Sequence, residues 1–338
     1  MAQNISRRGF ICGGAAAVAA LGVAGLAGCS GSSSASSEKE VERVTIRVAG
    51  LKGPTSMGMV KMLEDSKAGK TKNTYEYTMG ASADELVPAF NQGELDILAV
   101  PANLGAILYN STNGGAEMLC ANMLGAIYVL EVGDTISTIE DLKGKTIYTV
   151  GKGSTPEFLL RYLLNKHGLN MDTDVTVEFK EDATEVVGLL AAGTATVAML
   201  PQPVVTVALA KVPGVNVVLD MNAEWDAVAN GPKLVTAGLI GRKEFIDAHP
   251  EQIKDFLDEL KTSTDWTNAN VEEAAELIGS YDIVDASIAK VCLPACNVVC
   301  ITGKEMKDST EAYFQVLFDQ NPESVGGKMP GNDFYYGA

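Results

Sequence analysis

Short apolar runs bounded by glycine and proline alternate with stretches of helical period over most of the chain, which is the signature of strand–loop–helix units. Val44–Gly50 (VTIRVAG) reads as a strand, Leu51–Ser56 (LKGPTS) as the loop after it, and Met57–Asp65 as a helix. The same order returns in Thr146–Val150 (TIYTV), Gly151–Pro156 (GKGSTP) and Glu157–His167, the last with Phe158, Leu159, Tyr162 and Leu163 on its apolar side. A second pair of segments matches at one offset: GELDILAVPAN from Gly93 and GTATVAMLPQP from Gly193. Gly93 answers Gly193 and Pro101 answers Pro201.

Two strand–loop–helix units recurring at this long spacing imply two α/β lobes of similar plan, each a mostly parallel sheet flanked by helices. The period is far too long for a solenoid. The strand Ala126–Glu131 ends the first unit, and Thr138–Lys145 opens the second. Asn230-Gly-Pro232 breaks the pattern, after which Lys233–Gly241 reads as a strand returning to the first lobe. Helical segments follow from His249-Pro250-Glu251 (Ile253, Phe256, Leu257 and Leu260 on one face), over Val271–Tyr281, and over Lys304–Phe318. The expected division is lobe 1 at 41–132 plus 232–338 and lobe 2 at 133–231, with two crossing strands as the hinge.

In parallel α/β sheets, ligands bind beyond the carboxyl ends of strands, where loops lead into helix N-termini. Four such loops are expected to converge on one cleft. The first comprises Lys52, Gly53, Pro54, Thr55, Ser56 and Met57, and the second Pro101 and Asn103. The third comprises Lys152, Gly153, Ser154 and Thr155, and the fourth carries Gln202. Glycine, serine and threonine at a helix start offer free N–H groups, hydroxyls and a positive dipole end, and Lys52 and Lys152 add charge at matching places. A small polar or anionic ligand suits this set; the competing reading is that the hydroxyls serve only as helix caps. Neither glycine loop has phosphate-loop or dinucleotide spacing, so a nucleotide is not expected.

The N-terminus changes the picture from a free globule to a tethered one. Residues 1–28 read as an export signal, with Ser6-Arg7-Arg8-Gly9-Phe10 as the basic region and an uncharged run from Ile11 to Leu26, too short to span a bilayer. Leu26-Ala27-Gly28-Cys29 matches a bacterial lipobox in which Cys29 takes the lipid, and Ser30–Ser37 (SGSSSASS) extends it as a flexible tether within 29–40. Acids outnumber bases 43 to 26, a balance that argues against nucleic-acid or polybasic membrane binding. The membrane is reached by the lipid alone.

Catalytic chemistry is thin. There are two histidines, His167 and His249, each at a helix end and neither beside a nucleophile motif. No catalytic residue, metal or cofactor is expected. Cys120, Cys292, Cys296 and Cys300 remain once Cys12 and Cys29 are set aside. They read as buried inert thiols, as a disulfide involving Cys120, or as a metal site; Cys292 to Cys300 looks strand-like, a spacing too long for one tetrahedral ion.

The lipobox and tether, Gly53-Pro-Thr-Ser-Met57, Gly93-Glu-Leu-Asp96, Leu142-Lys-Gly-Lys145 and Ala248-His-Pro-Glu251 together resemble the solute-binding lipoproteins of ABC importers, in the nitrate/sulfonate/taurine and thiamine-precursor group. That resemblance implies the periplasmic-binding-protein type II fold. It also implies a monomer that closes over a small-molecule ligand outside the cytoplasm and docks on a permease driven by an ATPase. The chain departs from it in having no evident Arg or Asp clamp in the first loop, which leaves the ligand's charge open. Two other readings stand beside it: a sensor subunit that hands its ligand to a receptor, and a small enzyme on the same fold, such as a chorismate dehydratase or a thiamine-pyrimidine synthase.

Overall fold

The computed structural model describes residues 43–80 and 82–338. The signal segment 1–28, Cys29 and the tether 29–40 lie outside the described residues. Eleven strands are formed: β1 (Thr45–Leu51), β2 (Thr74–Gly80), β3 (Ile97–Pro101), β4 (Ala116–Leu124), β5 (Ile127–Val132), β6 (Thr146–Val150), β7 (Thr176–Lys180), β8 (Val197–Pro201), β9 (Val215–Asp220), β10 (Val235–Arg242) and β11 (Val298–Ile301).

The strands make two sheets, in the orders β11-β4-β10-β3-β1-β2 and β7-β6-β8-β5-β9. Apart from the added β11, the two orders are the same plan. In the first sheet β1 to β4 point one way and β10 and β11 oppose them. In the second, β6 to β9 point one way and β5 opposes them. Each opposed strand in fourth place is delivered from the other half of the chain. β5 follows β4 in sequence but pairs with β8 and β9, and β10 follows β9 but pairs with β3 and β4. The expectation that Ala126–Glu131 closes the first unit therefore needs correction. Every residue from Ile127 to Leu130 is buried in the second sheet, and an apolar run of this kind satisfies either sheet equally well.

Helices follow the parallel strands as the apolar spacing requires: Pro54–Met57 and Val60–Lys67 after β1, Ala102–Ser111 after β3, Thr155–Lys166 after β6, and Val204–Lys211 after β8. The long helix Pro250–Ala269 starts on a proline at its first position, which needs no N–H there, and lies on the first half. Ser263 fixes it, accepting from Met62 N at 3.0 Å and donating to Gly58 O at 2.7 Å. One apolar cluster covers a face of the first sheet with Phe245, Ile253, Phe256 and Leu260. A larger one runs from Phe90 and Leu98 through Trp225, Tyr313 and Phe314 to Leu159, Leu163 and Met199, so apolar packing is continuous between the two sheets.

Candidate functional site

The two sheets are joined at two places. β4 passes into β5 through Gly125 and Ala126, and β9 returns to β10 by way of the helix Met221–Ala229 and the turn 230–234. The connections run side by side: Gly125 N donates to Leu234 O at 2.9 Å, and Thr236 Oγ1 donates to Gly125 O at 3.2 Å. Gly125 has φ +56°, and a Cβ there would stand 2.6 Å from Asn222 Cβ, so the crossing requires glycine on both counts.

The carboxyl ends of β3 and β8 meet these crossings symmetrically. Pro101 stands opposite Ala237 near the start of β10, and Pro201 stands opposite Ile127 at the start of β5. The loops beyond them are thereby drawn to one place. Gln202 N donates to Ala126 O at 2.9 Å, while Asn122 Nδ2, on β4, donates to Thr55 O at 2.7 Å.

Around this crossing lie polar atoms that the protein itself does not satisfy. Of the ten buried side-chain polar atoms without a partner among the described residues, four belong here: Thr55 Oγ1, Asn122 Oδ1, Asn222 Oδ1 and Asn297 Nδ2. Buried polar groups are nearly always hydrogen-bonded, so a cluster of orphans next to a crossing marks where something else supplies the bonds. Asn122 is held by its bond to Thr55, Asn222 by packing on Gly125, and Asn297 by its carbonyl, which accepts from Leu124 N at 3.1 Å. Tyr128, on β5, adds a hydroxyl that donates to Ala295 O at 2.7 Å and lies toward the Asn297 amide. Burial, with Asp220 nearby, pushes that phenol up to about 12, so it stays protonated at neutral pH. The set can both accept and donate, and it is uncharged.

The residues expected from sequence divide into those near the crossing and those turned elsewhere. Thr55 and Gln202 are at it; Gln202 is buried, its Oε1 accepting from Thr206 N at 3.3 Å and Thr206 Oγ1 at 3.0 Å. Gly53 is buried with φ +112° and open space beside its α-carbon, and Pro54 begins the short helix after it. Ser56 is fully buried and donates to Leu51 O at 2.7 Å, while Met57 packs with Val60, Ala274 and Ile278; both belong to the core. Asn103 Nδ2 reaches away to Ser324 O at 3.1 Å. Lys52 Nζ meets Asp282 at 2.6 Å on the surface. Lys152 is exposed and has no ion pair among the described residues.

The third loop is occupied by its own groups. Ser154 Oγ donates to Gly151 O at 2.7 Å, and Gly153 N donates to Glu157 Oε2 at 2.7 Å, which places a carboxylate where an anion was expected. Thr155 Oγ1 lies 2.5 Å from Tyr313 OH, a link between the helix 155–166 and the C-terminal helix Gly303–Gln320. This bond gives the Thr155 hydroxyl a part in holding the two helices together. Thr155→Ala leaves the buried Tyr313 hydroxyl without a partner and is expected to cost about 1–3 kcal/mol in denaturant unfolding, while Thr155→Ala with Tyr313→Phe recovers most of it. Equal losses in the single and double variants would contradict this role.

Sequence reasoning missed Asn122, Asn222, Asn297 and Tyr128. Asn122 had a signal, being a lone amide in the apolar run AEMLCANML. The others had none. Cys292 to Cys300 also departs from the strand-like reading: Cys292 ends the helix Ala286–Cys292, Cys296 follows a 3₁₀ turn, and only Cys300 lies in a strand. No group of residues among those described could hold a metal ion, and none of the described helices is long and apolar enough to cross a membrane.

Comparison with known proteins places this arrangement. The fold matches that of an ABC transporter protein from Parabacteroides distasonis with a TM-score of 0.71 at 21% identity, covering 86% of this chain and 98% of that one. It also matches the periplasmic aliphatic sulphonate binding protein SsuA from Escherichia coli with a TM-score of 0.66 at 17% identity, covering 85% and 96%. In sequence, the chain is 27% identical over 234 residues to a Brucella abortus protein provisionally named a binding protein, spanning 67% of this chain and 70% of the relative. The two solved structures share this chain's fold. The profile of the NMT1-like family matches residues 40–279, and the chain belongs to that family.

Proposed function

We propose that this chain is the solute-binding component of an ABC importer. On this reading it is exported by residues 1–28, held at the outer face of the cell membrane by lipid on Cys29, and passes a small molecule to a permease and its ATPase. The observation that carries the reading is the cluster of unsatisfied polar atoms of Thr55, Asn122, Asn222 and Asn297 at the point where the two sheets are joined. A ligand bonded from both halves makes its full set of contacts only when they are closed together, so binding shifts the population toward closure. The lobes move as 43–126 with 235–338 against 127–229, about the connections at Gly125 and 230–234.

The chemistry of the cluster favours one class of ligand. Asn122 Oδ1 and Asn222 Oδ1 need donors, which a bare oxyanion lacks, whereas Asn297 Nδ2 needs an acceptor. A small polar molecule bearing N–H or O–H groups beside a carbonyl or carboxylate satisfies both.

A thermal-shift screen over amino acids, pyrimidines, sulfonates, aromatic acids and nitrate, followed by calorimetry on the best hit, tests this directly. Asn122→Ala is expected to weaken binding about tenfold or more, since it removes one or two hydrogen bonds of about 1 kcal/mol each and ~1.4 kcal/mol is a factor of ten in affinity. Unchanged affinity in Asn122→Ala and Thr55→Ala together would move the site elsewhere. Scattering profiles that stay the same on adding the ligand would remove the closure mechanism.

A further inference from the structure

Cys120 and Cys300 lie on neighbouring antiparallel strands, β4 and β11, where Ile301 stands opposite Ala121. Each cysteine directly precedes its member of that pair, Cys300 in the stretch of β11 where the register shifts. Both belong to the same apolar cluster, Cys120 in its buried part and Cys300 packed against it. The two differ in access. Cys120 is completely buried, whereas Cys300 is partly exposed and lines a cavity of about 370 Å³ with Lys254, Leu257, Lys261 and Tyr336.

We propose that Cys300 and Cys120 form a thiol pair that oxidises to a disulfide by exchange with an external disulfide, Cys300 being the attacking thiol and Cys120 the resolving one. The Cys300 thiolate attacks one sulfur of the external disulfide, forming a mixed disulfide and expelling the first external thiolate. Cys120 then attacks Cys300 Sγ, passing its proton to the second external thiolate as that leaves. One S–S bond is broken and one formed; two protein thiols become a disulfide, and the external disulfide becomes two thiols.

The differences between the two groups fit these roles. The neighbouring Cys120, together with Lys261, holds the Cys300 thiol below the usual thiol range, which favours the nucleophilic thiolate; burial pushes Cys120 up and keeps it from reacting alone. Cys292 and Cys296 supply a control within the same chain. They too are neighbours, but both are completely buried, so no external disulfide reaches them. A Cys120–Cys300 bond would tie β11 to β4, the strands beside Asn297 and carrying Asn122, and so brace one wall of the candidate site. The inference is independent of the ligand, and it needs the oxidising compartment only in the cell.

The test supplies the oxidant. The purified chain is incubated with oxidised glutathione, acid-quenched, unfolded, alkylated and digested for mass spectrometry. The expected result is a Cys120–Cys300 linked peptide, with Cys292 and Cys296 alkylated. Cys120→Ser is expected to retain glutathione on Cys300, and Cys300→Ser to take up none. Brief alkylation of the native wild-type chain, which requires no variant, is expected to label Cys300 before Cys120, Cys292 and Cys296. Cys120, Cys292, Cys296 and Cys300 all alkylated after full exposure to the oxidant, a Cys292–Cys296 linkage, or native labelling of Cys120, Cys292 or Cys296 before Cys300 would each overturn the proposal.

Discussion

Trp225→Ala is expected to destabilise the protein by about 3–5 kcal/mol, the range for emptying a buried aromatic site. Trp225 lies in the helix that returns the chain to the first sheet, and only 1% of it is exposed. Its ring packs 5.1 Å from Tyr162 of the second half and 6.2 Å from Tyr313 of the C-terminal helix. Its Nε1 donates to Pro232 O at 2.9 Å, which pins the turn leading into β10. Alanine therefore removes apolar packing between the halves and orphans a carbonyl at the crossing. Trp225→Phe restores the packing but not the bond and is expected to fall between the two. Equilibrium denaturation measures this order, and a loss below about 1 kcal/mol for Trp225→Ala would mean that the two halves are held together by other contacts.

Arg47→Met is expected to cost about as much, roughly 3–5 kcal/mol, and for an electrostatic reason. Asp96 has no exposed surface, and its carboxylate is held by Arg47 Nε at 2.9 Å, Arg47 Nη2 at 2.6 Å and Arg47 N at 2.9 Å, with Arg242 Nη2 at 3.5 Å. These groups lie on or beside β1, β3 and β10, so one carboxylate ties three adjacent strands. Removing the Arg47 side chain strands a buried negative charge on a backbone N–H and one long contact. Asp96→Asn is expected to cost less, because the cations left behind are 37% and 20% exposed and can turn to water. A larger loss in Asp96→Asn than in Arg47→Met, by urea unfolding, would reverse the argument.

Asp96 also explains part of what the sequence made legible. Gly93-Glu-Leu-Asp96 and Gly193-Thr-Ala-Thr196 occupy the same place in the two halves, each a turn into the third strand. The turn is common to both because a glycine with positive φ ends each preceding helix, +77° at Gly93 and +69° at Gly193. The acid appears in one copy alone, where Arg47 and Arg242 are present to meet it. A repeat read from glycines and prolines thus reports backbone geometry, while the side chains between them carry what distinguishes the halves.

The sequence marks where β1, β3, β6 and β8 give way to helices, but not what their hydroxyls bond to. Ser56 and Ser154 bond to carbonyls of their own turns, at Leu51 and Gly151, because the nearest acceptor to a serine at a helix start is local backbone. Thr55 Oγ1 has no such acceptor.

Local periodicity and turn chemistry by themselves determined the strand–loop–helix units, their duplication and the end of the sheets at which loops gather, since each is encoded by residues a few positions apart. The tertiary structure alone decided that β5 belongs to the second sheet, that Asn122, Asn222 and Asn297 keep unpartnered side-chain atoms around the crossing, and that Cys120 and Cys300 share one apolar cluster on neighbouring strands. Those outcomes depend on segments up to 180 residues apart in sequence (Cys120 and Cys300), and no short pattern records which buried amide is left without a partner once the chain has closed on itself.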